Sequence, residues 1–287
     1  MQRMLQLPLF VLFMGLGAIA MYVPALTAGA VRDYETARPF FYGGTLFLVF
    51  SVCIGLATGS WRPKDRTRSQ MLSLLATFLV LPAMLALPFL EAVPDTRFIN
   101  AYVEMVSSLT TTGASLFEPE RLPMSVHIWR ALVAWLGGLL MWITAFAVLA
   151  PLTLGGFEVT SDQEVGSGGG VVTYGEHADP VARILRYTQR LAPVYFTITA
   201  VLWVVLIVCG EPPAAALIHS LSTISTSGIT SGGNIGDTGG GFFAELAIFF
   251  FLFYAVTRRT FYRGLFGVSF GDLRRDKELR LAVFLVM

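Results

Sequence analysis

Two hydroxyl-rich runs, each containing one glycine, are the residues of this sequence best suited to chemistry. The first, at 107–115, reads Ser-Ser-Leu-Thr-Thr-Thr-Gly-Ala-Ser, and the second, at 222–230, reads Ser-Thr-Ile-Ser-Thr-Ser-Gly-Ile-Thr. The second run lies 115 positions after the first, and apolar segments precede and follow both. Neither run contains a carboxylate, so each offers neutral carbonyl and hydroxyl oxygens. Such oxygens can replace the water shell of a monovalent cation and still release it.

The candidate ion-binding residues occupy the second half of each run. They are Thr110, Thr111, Thr112 and Gly113 in the loop at 110–114, and Ser225, Thr226, Ser227 and Gly228 in the loop at 225–229. Each glycine can adopt backbone angles closed to other residues, which allows successive carbonyl oxygens to point the same way. One such run alone would fit a Ser/Thr-rich helix end packed against a neighbour, but its repetition favours an ion pathway.

The composition indicates that these runs lie in a membrane protein. Of 287 residues, 55% are hydrophobic and only 14% are charged, whereas soluble domains carry about 25% charged residues. No basic face with interleaved aromatic residues is present, so we expect no nucleic-acid partner. The two cysteines, Cys53 and Cys209, lie in apolar runs, and the three histidines share no ligand spacing. We therefore expect no structural metal site and no organic cofactor.

Six apolar segments are long enough to cross a hydrocarbon core about 30 Å thick. They lie near 4–24, 39–59, 71–93, 128–152, 190–210 and 242–262. A seventh begins near Leu281 and continues to the last residue. This apolar ending leads us to expect the N-terminal part of a longer protein. The first segment is read as a span rather than a signal peptide, because no convincing cleavage site follows it.

Basic residues predict the orientation of the chain. Four basic residues lie at 62–68, after the second span, and seven lie at 258–280, after the sixth. The positive-inside rule places both stretches, and hence the N-terminus, in the cytoplasm. Four spans separate the two stretches, and four crossings already return the chain to the cytoplasmic side. The segments at 94–118 and 211–235 therefore cannot add crossings and must each enter and leave on the outer side.

Both of these segments have the features of re-entrant loops. A half-helix is expected at 98–108, with Asp95 or Thr96 as its N-cap. A second is expected from Pro213, which suits a first helical position, to about 221. A helix of about 10 residues is ~15 Å long and reaches only halfway across the membrane. The negative C-terminal ends of both helices would then favour a cation at the loops.

The predicted fold is an all-α membrane protein with repeated helix–re-entrant loop–helix units and two additional N-terminal helices. The expected parts are two helices and a basic loop at 1–70, a first unit at 71–155, a cytoplasmic linker at 156–182, a second unit at 183–264, and a link with the start of a third unit at 265–287. The glycine-rich stretch of the linker is a weak match to a nucleotide-binding loop, because no strand leads into it and no lysine follows.

Several stretches together resemble the Trk/Ktr/HKT family of potassium uptake proteins, and most closely its bacterial Trk-type membrane subunit. They are the run at 108–115, Trp-Leu-Gly-Gly at 135–138 with Pro-Leu at 151–152, the runs at 219–223 and 225–228, and the charged run at 274–280. The resemblance covers nearly the whole chain.

The resemblance implies potassium uptake across the bacterial plasma membrane, with potassium bound at Thr111, Thr112, Thr226 and Ser227, and no enzymatic activity. It also implies four such units around one pore, of which this sequence holds two. The remaining two would come from the same longer chain or from a second copy. A homodimer, a cytoplasmic nucleotide-binding regulatory subunit and the lipid bilayer are the implied partners.

Two other classes of function fit the sequence less well. A carrier with discontinuous helices for another small solute would need more polar side chains within the spans. An intramembrane serine hydrolase would use Ser227 or Ser231 with His219. No nucleophile motif surrounds either serine, and no Asp or Lys base pairs with it at helical spacing.

Ionisable residues inside predicted membrane segments are candidates for function. Glu104 lies in the first half-helix, and His219 occupies the matching position of the second. Either residue would line the outer entrance, brace its loop or simply face a water-filled vestibule, and the vestibule is the expectation we favour. We expect Gly137 and Gly138 to be helix-packing positions rather than ligands. Four acidic residues flank the outer end of the first unit and either concentrate cations or are ordinary loop charges: Glu91, Asp95, Glu118 and Glu120.

Overall fold

The regular elements in the part of the chain that the structure describes are all helices. The computed structural model describes residues 9–58, 66–145, 180–232 and 239–256, and these ranges contain no strand. The helices, in chain order, are α1 Leu9–Ala20, α2 Tyr22–Ala30, α3 Tyr34–Thr58, α4 Arg66–Leu79, α5 Leu81–Ala92, α6 Phe98–Leu109, α7 Met124–Thr144, α8 Pro180–Val208, α9 Pro213–Ser225 and α10 Gly241–Val256. A short 3-10 turn, Pro119–Arg121, precedes α7.

Five stretches of helix within the described ranges are long and apolar enough to cross a membrane. They are Phe10–Ala30, Tyr34–Thr58, Leu72–Ala92, Met124–Thr144 and Tyr187–Val208. A shorter apolar helix, Gly241–Leu252, begins where the sixth span was predicted. The prediction of an all-α, multi-pass membrane protein is therefore confirmed. The seventh apolar segment and most of the predicted linker lie outside the described residues.

Two of the predicted spans are each interrupted once. The first is broken at Met21 and continues to Ala30 instead of ending near 24, and the third is broken at Val80. Pro24 and Pro82 follow these breaks closely, and proline lacks the N–H that would continue the helical hydrogen bonds. Apolar composition runs through both breaks, which is why hydropathy alone does not locate them.

Other spans begin earlier than predicted. The second begins at Tyr34 rather than near 39, and the Asp33 carboxylate accepts a hydrogen bond from the Thr36 N–H (3.2 Å), as an N-cap residue does. The fourth begins at Met124 rather than near 128, and the fifth belongs to a helix that begins at Pro180. Hydropathy detects only the apolar part of a helix, so polar first turns were missed.

Helix α7 lies between two apolar cores. Trp129 and Val133 belong to a core formed with the N-terminal helices and α6, whereas Trp135 and Leu139 belong to one formed with α8, α9 and α10. The Trp129 ring packs edge-on against Phe40, with ring centroids 5.5 Å apart. The other spans expose many large apolar side chains, as expected of surfaces that face lipid. The central position of α7 determines how the two polar loops are held.

Candidate ion pathway

Two helices too short to span a membrane, α6 and α9, lead into the two polar loops. They have 12 and 13 residues, or about 18–20 Å at 1.5 Å per residue. The prediction of α6 at 98–108 is correct to within one residue. The predicted end of α9 near 221 is wrong, because α9 continues to Ser225. The Thr223 hydroxyl donates to the His219 carbonyl (2.7 Å), so this polar run is satisfied inside the helix.

The start of α6 also differs from its prediction. Neither Asp95 nor Thr96 is the N-cap, since Arg97 occupies that position with extended backbone and makes no side-chain cap. Instead, the Arg121 guanidinium donates to the carbonyls of Pro94 (2.8 Å) and Asp95 (3.1 Å). This contact ties the segment after the first loop to the segment before α6. In the second unit, Pro213 is the first residue of α9, as predicted.

The two loops have the same backbone conformation at matching positions. Thr111 and Thr226 have φ of 55° and 56°, and Gly113 and Gly228 have φ of 74° and 70°. Positive φ is rare for a β-branched residue such as threonine, and strained residues of this kind cluster at functional sites. The repeat of 115 positions therefore extends to individual backbone angles.

Hydrogen bonds close both loops in the same way. The Thr112 N–H donates to the Ser107 carbonyl (2.9 Å), and the Ser227 N–H donates to the Ser222 carbonyl (3.0 Å). Each of these bonds folds the loop back over the last turn of its half-helix.

Hydroxyl groups also pair within each loop. The hydroxyls of Thr110 and Thr112 are 2.8 Å apart, and the Ser225 hydroxyl donates to that of Ser227 (3.1 Å). The Ser227 hydroxyl donates in turn to that of Ser222 (3.3 Å). Sequence reasoning assigned these hydroxyls to the ion, but the structure also uses them to hold the loops.

The backbone carbonyl oxygens of the loops have no hydrogen-bond partners within the described ranges. No described residue donates a hydrogen bond to a carbonyl at 110–113 or at 225–228. Two short rows of carbonyl oxygens without a donor in the described part of the chain are the main chemical feature of this region.

The two loops are in direct contact. A Cβ atom on Gly113 would overlap the Ser227 carbonyl oxygen, so only glycine fits at 113. Gly228 has open space around it, and only its positive φ restricts the residue type. The structure thus brings the two sets of candidate residues together, although they are far apart in the sequence.

The glycine pair of α7 lies behind both half-helices. A Cβ on Gly137 would overlap the Leu109 carbonyl oxygen at the end of α6. A Cβ on Gly138 would lie 2.7 Å from the Tyr195 hydroxyl and 3.3 Å from the Ser225 Cα. The expectation that these glycines are packing positions is therefore confirmed, and what they pack against is the loop end of each half-helix.

The expectation that Glu104 and His219 face a vestibule is wrong. They are 1% and 3% exposed, respectively. Glu104 pairs with Arg130 (Oε1–Nε, 2.6 Å), and His219 lies against Glu211 (Nδ1–Oε2, 3.0 Å). Sequence reasoning missed both partners, although a buried ionisable group requires one. The four flanking acidic residues are exposed at the surface.

The fold and these loops define a class, namely multi-pass membrane proteins built from helix–re-entrant loop–helix units. A family model for TrkH, described as a cation transport protein, matches residues 37–235. The chain belongs to this family, which confirms the resemblance found in the sequence. The family is described as one of cation transport proteins and not of hydrolases.

Curated relatives carry the names of potassium uptake proteins. The chain is 29% identical over 245 residues to the Trk system potassium uptake protein TrkH of Vibrio parahaemolyticus, covering 83% of this chain and 47% of that protein. It is 26% identical over 262 residues to the Trk system potassium uptake protein TrkG of Escherichia coli, covering 84% and 50%. The chain thus spans about half the length of the curated relatives it matches.

A solved structure has the same fold. The crystal structure of the potassium transporter TrkH from Vibrio parahaemolyticus superposes with a TM-score of 0.76 at 24% identity, covering 99% of this chain and 57% of that one. At this identity, the likeness supports the fold of the repeated units.

Proposed function

We propose that this chain forms two pore units of a potassium uptake protein and that potassium passes the loops at 110–114 and 225–229. The observation that carries the proposal is the pair of matched, touching loops whose carbonyl oxygens have no hydrogen-bond donor among the described residues. The names of the curated relatives support potassium as the ion.

Carbonyl oxygens suit this role because they replace water around potassium without a net charge. We assign the bound ions to the backbone oxygens of Thr111, Thr112, Thr226 and Ser227. The Ser227 hydroxyl is engaged by Ser222, so its carbonyl is the ligand in this proposal. The C-terminal ends of α6 and α9, which carry partial negative charge, lie next to the loops and favour a cation.

The arrangement in the membrane follows from the distribution of basic residues. We place the protein in the bacterial plasma membrane, with the N-terminus in the cytoplasm and both loops entering from outside. The units comprise 71–155 and 183–264, and two further units complete the pore, either from a longer chain or from a second copy. A homodimer and a cytoplasmic nucleotide-binding regulatory subunit complete the proposed assembly.

The test is potassium uptake in a host that lacks its own uptake systems. The protein, expressed as its gene encodes it, is expected to restore growth at low potassium and to carry rubidium as a tracer. Gly113→Ala is expected to abolish both, because the new Cβ would overlap the Ser227 carbonyl oxygen.

The matched control is Gly29→Ala, since Gly29 is a helical glycine with no other atom within 4 Å of the added Cβ. This variant is expected to transport like the original protein. Normal, selective uptake by Gly113→Ala would contradict the assignment of the loops to the ion pathway.

A further inference from the structure

A buried polar network holds the segment that follows the first loop. We call Glu104, Arg130 and His127 the outer clamp. Glu104 lies on α6, and the other two lie in the first two turns of α7. Their exposed fractions are 1%, 4% and 2%. Burying an ion pair costs desolvation energy, so its presence inside a membrane protein indicates a functional role.

The clamp makes hydrogen bonds to the backbone after the first loop at two points. Glu104 Oε1 pairs with Arg130 Nε (2.6 Å), while Oε2 accepts a hydrogen bond from the Leu116 N–H (3.0 Å). Arg130 Nη1 lies 3.4 Å from His127 Nδ1, and His127 Nε2 lies 3.0 Å from the Pro119 carbonyl oxygen. Because arginine can only donate, Nδ1 is the acceptor and Nε2 carries the proton that Pro119 accepts. The clamp thus holds both ends of the segment 116–119.

This segment is linked directly to the ion-binding loop. Leu116 is three positions after Gly113, and the intervening Ala114 carbonyl accepts a hydrogen bond from the Ser107 hydroxyl (2.6 Å). A displacement of Leu116 would therefore be transmitted to Gly113, which contacts the Ser227 carbonyl. The clamp is therefore linked to the first loop through Leu116 and to the second loop through the contact of Gly113 with Ser227.

The second unit has a different arrangement at the matching positions. Residue 219, which matches Glu104, is a histidine whose partner Glu211 precedes α9. The N–H of Ser231, which matches Leu116, donates no hydrogen bond to His219 among the described residues. Gly232 instead packs against Pro119, since a Cβ there would lie 2.9 Å from the Pro119 Cβ. The segment after the second loop thus rests on the segment that the clamp holds.

We propose that the outer clamp is a selectivity-determining device. Glu104, Arg130 and His127 are positioning residues that keep the loop carbonyls at the spacing that fits potassium better than sodium. This inference rests on the proposed function.

The decisive variant is Glu104→Gln. A glutamine amide has one oxygen, whereas Arg130 Nε and the Leu116 N–H both need an acceptor, so one of them faces an NH₂ group. Sodium uptake relative to rubidium uptake, measured in the host lacking potassium uptake, is expected to rise about tenfold, a change of about 1.4 kcal/mol in discrimination. Arg130→Lys keeps both charges, but its single ammonium group cannot contact Glu104 and His127 as well as the guanidinium does. A smaller rise in the sodium-to-rubidium uptake ratio is therefore expected.

The control is Arg97→Gln, which removes an exposed positive charge just before α6, where the arginine makes no side-chain cap and lies outside the clamp. Its sodium-to-rubidium ratio is expected to match that of the original protein. If Glu104→Gln lowers uptake of both ions equally, the clamp is only structural and the proposal is wrong. If the Glu104→Gln protein does not accumulate in the membrane, Arg130→Lys provides the test, and an unchanged sodium-to-rubidium ratio in that variant overturns the proposal.

Amide hydrogen exchange separates this inference from the proposed function. In purified protein, the Leu116 amide is expected to exchange slowly, and markedly faster in Arg130→Lys. Equal exchange in both proteins would refute the clamp whatever the transport result. Absence of rubidium uptake by the original protein, with the Leu116 amide protected, would refute the proposed function while leaving the contact intact.

Discussion

The first and second units share a loop backbone but are held by different side chains. Within the runs at 107–115 and 222–230, three matching positions have identical residues, namely Ser107 and Ser222, Thr111 and Thr226, and Gly113 and Gly228. In the first unit, the Ser107 hydroxyl donates to a carbonyl beyond the glycine. In the second, the Ser222 hydroxyl accepts a hydrogen bond from the Ser227 hydroxyl.

The surroundings of the loops differ further. Side chains at Thr110 and Thr112 are exposed, whereas Ser225 and Ser227 are buried. The first unit is supported by a buried pair between α6 and α7, and the second by a pair between His219 of α9 and Glu211, two residues before α9 begins. A short pattern of Ser, Thr and Gly thus specifies the loop backbone, while the side chains that hold it are particular to each unit.

The largest difference between the units is expected at the two loop glycines. Gly113→Ala introduces both an overlap with the Ser227 carbonyl and positive-φ strain, whereas Gly228→Ala introduces the strain alone, about 1–2 kcal/mol. We expect rubidium uptake to fall by more than about 100-fold in the first variant, where overlap adds to strain, and by about tenfold in the second. Equal losses would show that backbone angle, and not loop contact, sets the requirement for glycine.

A second difference is expected in stability. Arg130→Met leaves Glu104 buried without its partner, which costs about 3–5 kcal/mol. Glu211→Gln keeps a side chain that can still bond to His219, so its cost is expected to be about 1 kcal/mol. The free energy of unfolding, measured in mixed detergent micelles, checks both values. If Glu211→Gln lowers the free energy of unfolding more than Arg130→Met does, the stability of the protein depends more on the buried pair of the second unit than on that of the first.

The smallest difference is expected at the hydroxyl pairs. Ser227→Ala removes a buried hydroxyl that bonds to Ser225 and Ser222 and is expected to cost about 1 kcal/mol. Thr112→Val removes an exposed hydroxyl and is expected to cost about 0.5 kcal/mol or less. The same unfolding measurement ranks the two variants. A larger loss in Thr112→Val would mean that exposure does not determine the contribution of these hydroxyls.

Local patterns in the sequence predicted the repeat, the half-helices and the start of α9 at Pro213. These features depend on residues close together in the chain, where hydroxyl runs, glycine and proline have direct effects on the backbone. The extension of α9 to Ser225 was missed because serine and threonine favour turns in general. Here their hydroxyls bond within the helix.

Contacts between distant residues were not predictable in the same way. Glu104 was recognised as an intramembrane carboxylate, but its partner Arg130 lies on a different helix, and nothing in apolar periodicity identifies it. The contact of Gly113 with Ser227 likewise depends on how two half-helices pack against α7. Such contacts depend on the tertiary packing of the helices. Composition and spacing could therefore indicate that a buried residue needs a partner, but they could not identify which residue the partner is.

The adjacency of Gly137 and Gly138 has a mechanical consequence. Successive residues of an α-helix point about 100° apart, so one glycine faces the end of α6 and the other faces the end of α9. Rotation of α7 about its own axis would press on one half-helix while releasing the other. A sideways tilt of α7 would instead move both half-helices in the same direction. Rotation of α7 would therefore displace the two loops in opposite senses, whereas tilting would displace them in the same sense.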